Sequence, residues 1–353
     1  MKTKIIKIII LTILLSFLLI FFLPSRTPKY NRNYNNSISE LNMVEIGGVE
    51  QSILIRGTNK DNPIVLFLHG GPGYPQISFA RKYQKKLEEE FIVVNWDQRG
   101  AGKSYSRDIP EHSMTREQFV LDTNEVIDYL CKKLNKKSVY LVGHSWGSEL
   151  GLYVVDKYPE KIKAYIGIGQ VVDGTIGEII SYEYVYNQAK ENNDVKSIEI
   201  LDRIGIPPYS EAVKETAAQR KILSKYHGVE KQVNTLNDII IGSIFSPEYT
   251  GIDFIRFVMG NAFSAKAMWG QNSELNFIKE LPKVKVPVYF CGGRYDYNTP
   301  SILVEEYYNL LQAPYKEFIW FEDSAHFPQF EEVEKFTLLM VRIKNTHEKI
   351  KGD

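Results

Sequence analysis

The sequence predicts an α/β architecture: a mostly parallel sheet with helices on both faces. Three observations predict it. Apolar runs such as Ile64-Val-Leu-Phe-Leu68 suit strands buried on both faces. Amphipathic segments of helical length separate most of these runs, as the crossovers of a parallel sheet require. And the apolar strand Val139–Val142 passes through Gly143-His-Ser-Trp-Gly147 straight into a helical pattern, putting one serine at a strand-to-helix turn.

The elements follow in order. Lys2, Lys4 and Lys7 precede an almost wholly apolar stretch, Ile8 to Leu23. That run has no polar face, and its length is near the roughly 20 residues that cross a bilayer as a helix. No pattern of small residues follows it, so residues 1–26 are expected to be an uncleaved transmembrane anchor. The protein is then expected to be single-pass, to meet the membrane through this helix, and to hold its catalytic domain outside the cytoplasm. Residues 27–40, rich in Asn, Arg, Tyr and Ser, read as a linker.

Residues 41–170 form the first part of the expected core. Val44–Ile46 and Gln51–Arg56 pair through Gly47-Gly48 as a hairpin. The strand Ile64–Leu68 ends in His69-Gly-Gly-Pro-Gly73. A helix over Ser78–Glu90 and a strand over Phe91–Trp96 come next. Thr115 and Gln118 have capping-box spacing and open a helix to Leu134. Val139–Val142 and Ala164–Ile168 are further strands. Between 171 and 283 the alternation gives way to helical patterns, read as a cap inserted in the sheet. The core resumes over 284–353 with strands Val286–Phe290 and Phe318–Phe321.

A hydrophobic fraction of 44% with 24% charged residues is that of a globular chain. Formal net charge is zero, without the basic surplus of a nucleic-acid binder, and no nucleic-acid partner is expected. Cys131 and Cys291, the two cysteines, are too few for a disulfide scaffold and read as buried free thiols. Gly102-Lys103-Ser104 resembles the end of a P-loop, but Asp97 stands where that loop needs glycine. Neither metal-ligand spacing nor a dinucleotide fingerprint is found, and no cofactor or metal is expected.

A serine at a tight strand-to-helix turn projects its hydroxyl from the backbone, with the positive end of the following helix behind it. Flanking glycines let the chain pass close to its neighbours. Ser145 needs a base, and the base an orienting acid; in this architecture both follow the serine in chain order. Of six histidines, His326 directly follows the last strand, at the sheet's carboxyl edge. Asp296 follows Val286–Phe290 in the same way; Asp323 is the competing acid, but one loop would then supply both groups. The oxyanion donors expected are the N–H groups of Trp146 and Gly71. His69 is expected to be structural.

These segments resemble the α/β-hydrolase fold and, within it, the proline iminopeptidase group of serine peptidases. The resemblance rests on His69-Gly-Gly-Pro-Gly73, Trp96-Asp-Gln-Arg-Gly-Ala-Gly-Lys-Ser104, Gly-His-Ser-Trp-Gly-Ser148, Gly293-Arg-Tyr-Asp296 and Ser324-Ala-His326, and covers Leu41 onward. It implies a helical cap that closes over the site, and a serine hydrolase acting through an acyl-enzyme on a small molecule or short peptide. The expected activity is release of N-terminal proline or a small apolar residue. The family binds the substrate amine with cap glutamates; Glu178, Glu183, Glu199, Glu211 and Glu215 lie in this cap, and Glu149 lies one turn beyond Ser145. Established iminopeptidases usually carry Gly before the nucleophile. His144 stands there in this chain, as in many esterases of the fold, so a carboxylesterase or amidase is the alternative. A surface binding protein without turnover is the alternative of another class.

Overall fold

The structure is a computed structural model that describes residues 2–22, 24–233, 235–268 and 275–349. The parts of the expected anchor, cap and second core segment at residues 1, 23, 234, 269–274 and 350–353 lie outside the described residues. Eight strands form one sheet: β1 Ile38–Ile46, β2 Val49–Gly57, β3 Ile64–Leu68, β4 Ile92–Asp97, β5 Val139–His144, β6 Ile162–Ile168, β7 Val288–Gly293 and β8 Lys316–Phe321. Their order is β1-β2-β4-β3-β5-β6-β7-β8. The β1–β2 hairpin and the β2–β4 pair are antiparallel, and every other pair is parallel.

Ten helices of eight or more residues are named here: α1 Lys2–Phe22, α2 Ile77–Gln84, α3 Arg116–Leu134, α4 Trp146–Lys157, α5 Gly174–Glu191, α6 Val195–Ile204, α7 Ala212–Lys225, α8 Gly251–Met268, α9 Ser301–Leu310 and α10 Val333–Lys349. Alternation along each strand divides the core into two layers. Ile64, Leu66 and Leu68 of β3 pack with Val126, Ile127 and Leu130 of α3 and Leu150 and Val154 of α4. Val65 and Phe67 face the other way, onto Phe336, Leu339 and Met340 of α10. The apolar pentad is therefore a central strand whose both faces are covered, as its composition predicts. Thr115 caps α3, its hydroxyl accepting the N–H of Gln118 at 3.2 Å.

Between β6 and β7 the chain leaves the sheet. Helices α5, α6 and α7 pack on one another around Tyr182, Val185, Leu201, Ile222 and Leu223, a small core of their own. Both cysteines are free, but only Cys291 is buried; Cys131 lies on the half-exposed side of α3.

The N-terminal segment corrects the sequence-based expectation. Lys2–Phe22 is helical, yet among the described residues no helix is long and apolar enough to cross a membrane. The transmembrane helix, the membrane contact through it and the single-pass, extracytoplasmic placement are therefore not supported. Lys4 and Lys7 sit inside the helix's first two turns, which shortens its uncharged length. Its other end is laid on the folded domain. Phe21 packs where a Cβ on Gly251 of α8 would fall, and the Arg26 N–H donates to Pro247 O at 2.8 Å. The residues that follow are also engaged: Arg56 donates to the Thr27 hydroxyl and to Pro28 O, both at 2.6 Å.

One buried ion pair ties the loop after β4 to α3, and a second, with a half-buried arginine, ties α3 to α4. Arg99 grips Asp122 of α3 with two parallel bonds of 2.8 and 2.9 Å, and Gln51 and Gln118 complete the carboxylate's shell. Arg116 of α3 holds Glu149 of α4 at 2.8 Å, while Glu149 Oε2 has no partner among the described residues. Burial pushes the Glu149 carboxyl from its ordinary 4.5 up to about 7, with Arg116 opposing.

Asp122→Ala leaves the Arg99 guanidinium buried and unpaired; urea unfolding should show a loss of about 3–5 kcal/mol. Glu149 predicts a pH dependence. Its folded-state pKa lies above its unfolded value, so its contribution is whole below pH 4.5 and is lost as pH rises to about 7. Urea unfolding at pH 5 and pH 8 should therefore show Glu149→Gln gaining on the wild type at the higher pH, by on the order of 1–3 kcal/mol.

Candidate active site

The turn after β5 sets the site. Ser145 has φ 54° and ψ −124°, a conformation that costs a non-glycine residue about 1–3 kcal/mol and persists only when its surroundings enforce it. They do so by close approach. A Cβ on Gly143 would lie 2.4 Å from Gly147 O, and a Cβ on Gly147 would lie 2.1 Å from Leu68 O at the end of β3. Both positions are therefore glycine for lack of room. The Ser145 N–H donates to Ile168 O at 3.0 Å, and the Ser148 hydroxyl donates back to Ser145 O at 2.6 Å. With its main chain so held, Ser145 lines a cavity of about 370 Å³ together with Gly71 and Trp146.

Asp296 follows β7 and is buried. Its Oδ1 accepts the N–H groups of Asn298 and Thr299, both at 2.9 Å; its Oδ2 accepts the Thr299 hydroxyl at 2.9 Å. The same Oδ2 lies 2.9 Å from Nδ1 of His326, which follows β8. A carboxylate accepts, so Nδ1 carries the proton and Nε2 is left as the basic atom. Asp323, the competing acid, is exposed and lies 3.8 Å from Lys231 instead. The His326 ring sits against the backbone beyond β6, where a Cβ on Gly169 would come within 2.7 Å of it. Its own backbone N–H donates to Val229 O at 2.9 Å.

Trp146 opens α4, so its N–H has no acceptor within the helix, and the residue lines the cavity at the helix's positive pole. Gly71 has φ 120° and belongs to the loop after β3. Gln98 links the two: it accepts from Trp146 Nε1 at 3.2 Å and donates to His69 O at 3.1 Å. His69 is fully buried and bonded on both ring nitrogens, to Gly70 O at 2.8 Å and to the Gln98 N–H at 3.1 Å. Burial pushes its imidazole down to about 4, so it is a neutral brace for the loop. Lys103, of the P-loop-like triplet, is spent on an ion pair with Asp253 at 2.7 Å.

The acidic candidates separate. Glu178 of α5 lines the cavity; its Oε1 pairs with Arg220, and its Oε2 is buried with no partner among the described residues. The hydroxyl of Tyr209, in the same wall, is likewise unpartnered. Glu183, Glu199 and Glu211 are exposed, Glu215 accepts from the Glu211 N–H, and Glu149 is committed to Arg116; none of these five lines the cavity.

Three residues are not anticipated from sequence. Thr299 bonds both Asp296 and, at 3.1 Å, His326 Nδ1; its place three residues after an aspartate is the spacing of a local side-chain turn, a signal that was available. Glu230 has its carboxyl raised chiefly by burial; the Ser224 hydroxyl opposes this, Glu331 adds to it, and His227 and His326 oppose it more weakly. Glu331 collects the N–H groups of Lys231, Gln232 and Val233 on Oε1 and that of Ala325 on Oε2, tying the end of the inserted helical segment to the loop of His326. Nothing local in sequence marks the last two.

Residues 63–203 match the family model described as the alpha/beta hydrolase fold. The chain is 35% identical over 312 residues, 88% of its own length and 98% of the relative's, to a protein of Bacillus subtilis (strain 168) named probable aminopeptidase YbaC. It is 28% identical over 274 residues, 77% of its length and 87% of the relative's, to a proline iminopeptidase of Heyndrickxia coagulans. The crystal structure of a proline iminopeptidase of Mycobacterium smegmatis superposes with a TM-score of 0.65 at 18% identity, covering 89% of this chain and 100% of that one. A strand order with two leading antiparallel pairs, a serine elbow after β5 and a relative aligned over nearly its whole length lead to one conclusion: the chain belongs to the α/β-hydrolase family, as a hydrolase similar to the proline iminopeptidases.

Proposed function

We propose that this hydrolase works through Ser145, and that it is an aminopeptidase releasing N-terminal proline or a small apolar residue. The observation that carries this is the 2.9 Å bond between His326 Nδ1 and Asp296 in a loop packed beside the Ser145 turn. The Ser145 hydroxyl attacks the acyl carbon while His326 Nε2 takes its proton. The Trp146 and Gly71 amides receive the oxyanion. His326 then protonates the leaving amine, and an acyl-enzyme remains on Ser145. A water, deprotonated by the same nitrogen, hydrolyses it. Asp296 holds the ring in the tautomer that leaves Nε2 free.

Support for an amine substrate comes from the cavity wall. The unpartnered Glu178 Oε2 and Tyr209 hydroxyl offer acceptors to a buried ammonium, which needs a paired charge. Helices α5–α7 act in this scheme as the cap that selects the substrate. His144 before the nucleophile favours the second reading, an esterase or amidase of the same mechanism.

Ser145→Ala should abolish labelling by a fluorophosphonate probe and lower kcat by about 10³-fold or more; labelling that survives would sink the assignment. Prolyl-naphthylamide should be cleaved in preference to its N-acylated form and to short p-nitrophenyl esters; the reverse order selects the esterase. Glu178→Gln should raise KM for the amine substrate about 10-fold and leave the esters unchanged.

A further inference from the structure

We propose that His144 is a positioning residue: its ring ties the loop carrying His326 to the strand carrying Ser145 and thereby sets the distance between nucleophile and base. This rests on the serine-hydrolase reading above. His144 is the last residue of β5, directly before Ser145, and is buried. Its Nε2 lies 2.9 Å from the backbone carbonyl of His326, 182 residues away in the chain. A carbonyl only accepts, so Nε2 carries the hydrogen and donates.

The bare Nδ1 faces Gly70, where an added Cβ would stand 3.3 Å from it. Burial, and behind it the nearby His326, hold this imidazole well below its ordinary range, so it stays the neutral donor while the base beside it gains and loses a proton. The ring also packs 4.7 Å from the His326 ring and 5.1 Å from Phe327.

The other tethers of the base come from elsewhere. Val229 O takes the His326 N–H, Glu331 takes the Ala325 N–H, and Asp296, together with the Thr299 hydroxyl, takes Nδ1. They fix His326 to the inserted helical segment, to the turn after it and to the acid. The His144 bond alone among these tethers starts at the neighbour of Ser145. A rigid five-membered ring thus spans the gap between the two reacting side chains' backbones, where an error of about 1 Å costs on the order of 100-fold in rate. A glycine at this position would leave His326 O without that donor.

Two substitutions test the bond. His144→Phe keeps the ring packing and deletes the donor; His144→Gln keeps an N–H at the reach of Nε2. Rates are counted per folded molecule, from unfolding curves of each variant, on the best substrate of the panel and with the fluorophosphonate probe. His144→Phe should lower kcat and the labelling rate about 10- to 100-fold with KM within about 2-fold, and His144→Gln should recover to within about 5-fold of wild type. Wild-type kcat in His144→Phe, or equal damage in both variants, overturns the proposal. If neither variant folds, ¹⁵N-histidine spectra of the wild type decide: a His144 ring protonated at Nε2 supports it and one protonated at Nδ1 overturns it. Failure of the underlying reading appears separately, as labelling that survives Ser145→Ala.

Discussion

Between the ends of β3 and β5 there is no space for a side chain on the residue before His144 or on the one after Trp146. A Cβ at either glycine would fall inside the van der Waals shell of a carbonyl oxygen, 2.4 Å from one and 2.1 Å from the other. This close approach of backbone to backbone holds Ser145 in its positive-φ conformation. It also starts α4 at the next residue, and Trp146 and Gly71 of the loop after β3 line the same cavity. Buried strands on both sides make the arrangement stiff, since interiors packed at crystalline density do not yield locally.

A second set of contacts holds Asp296 and His326, the proposed acid and base, beside this turn. They come from the carboxyl ends of β7 and β8, beyond more than a hundred residues of inserted helical chain. Backbone bonds do most of the joining. The Tyr297 N–H donates to Gly228 O, the His326 N–H to Val229 O, and Glu331 gathers four amides from the two sides. A buried carboxylate satisfied by several main-chain donors is costly to disturb, because each donor it releases would be left unpaired. The inserted helices and the base loop thereby become one mechanical unit. Arg220 adds a link from α7 to Glu178 of α5 and to Asn298 O beside the acid.

The buried histidines divide the work by protonation. His69 and His144 are enclosed and bonded so that burial keeps them neutral, and each serves as a fixed donor or acceptor to the backbone. His326 differs in facing a carboxylate, which accepts the Nδ1 proton and leaves the other nitrogen for the proton transfer proposed above. Three imidazoles within one site thus differ in role because of what their ring nitrogens meet.

Much of this was legible in the chain itself. The apolar pentad of β3, the Thr115 cap, the glycines around Ser145 and the loops after β7 and β8 are local patterns, and local sterics and burial dictate them whatever lies beyond. Glu178, Glu230 and Glu331 are alike in sequence, and so are the exposed Glu183 and Glu199; which carboxylate faces a cavity, a set of amides or water depends on contacts with distant parts of the chain, 42 residues away for the Glu178–Arg220 pair and 98 to 100 for the amides that Glu331 gathers from the inserted segment. The N-terminal apolar run shows the limit in the other direction, since composition suggested a membrane span and the folded chain lays its end against α8. The sequence by itself determined the strands of the sheet and the glycine-flanked elbow, because each follows from short-range geometry. Only the tertiary structure decided which of several like side chains meet, because pairing of buried polar groups is settled by long-range packing and not by neighbours in the chain.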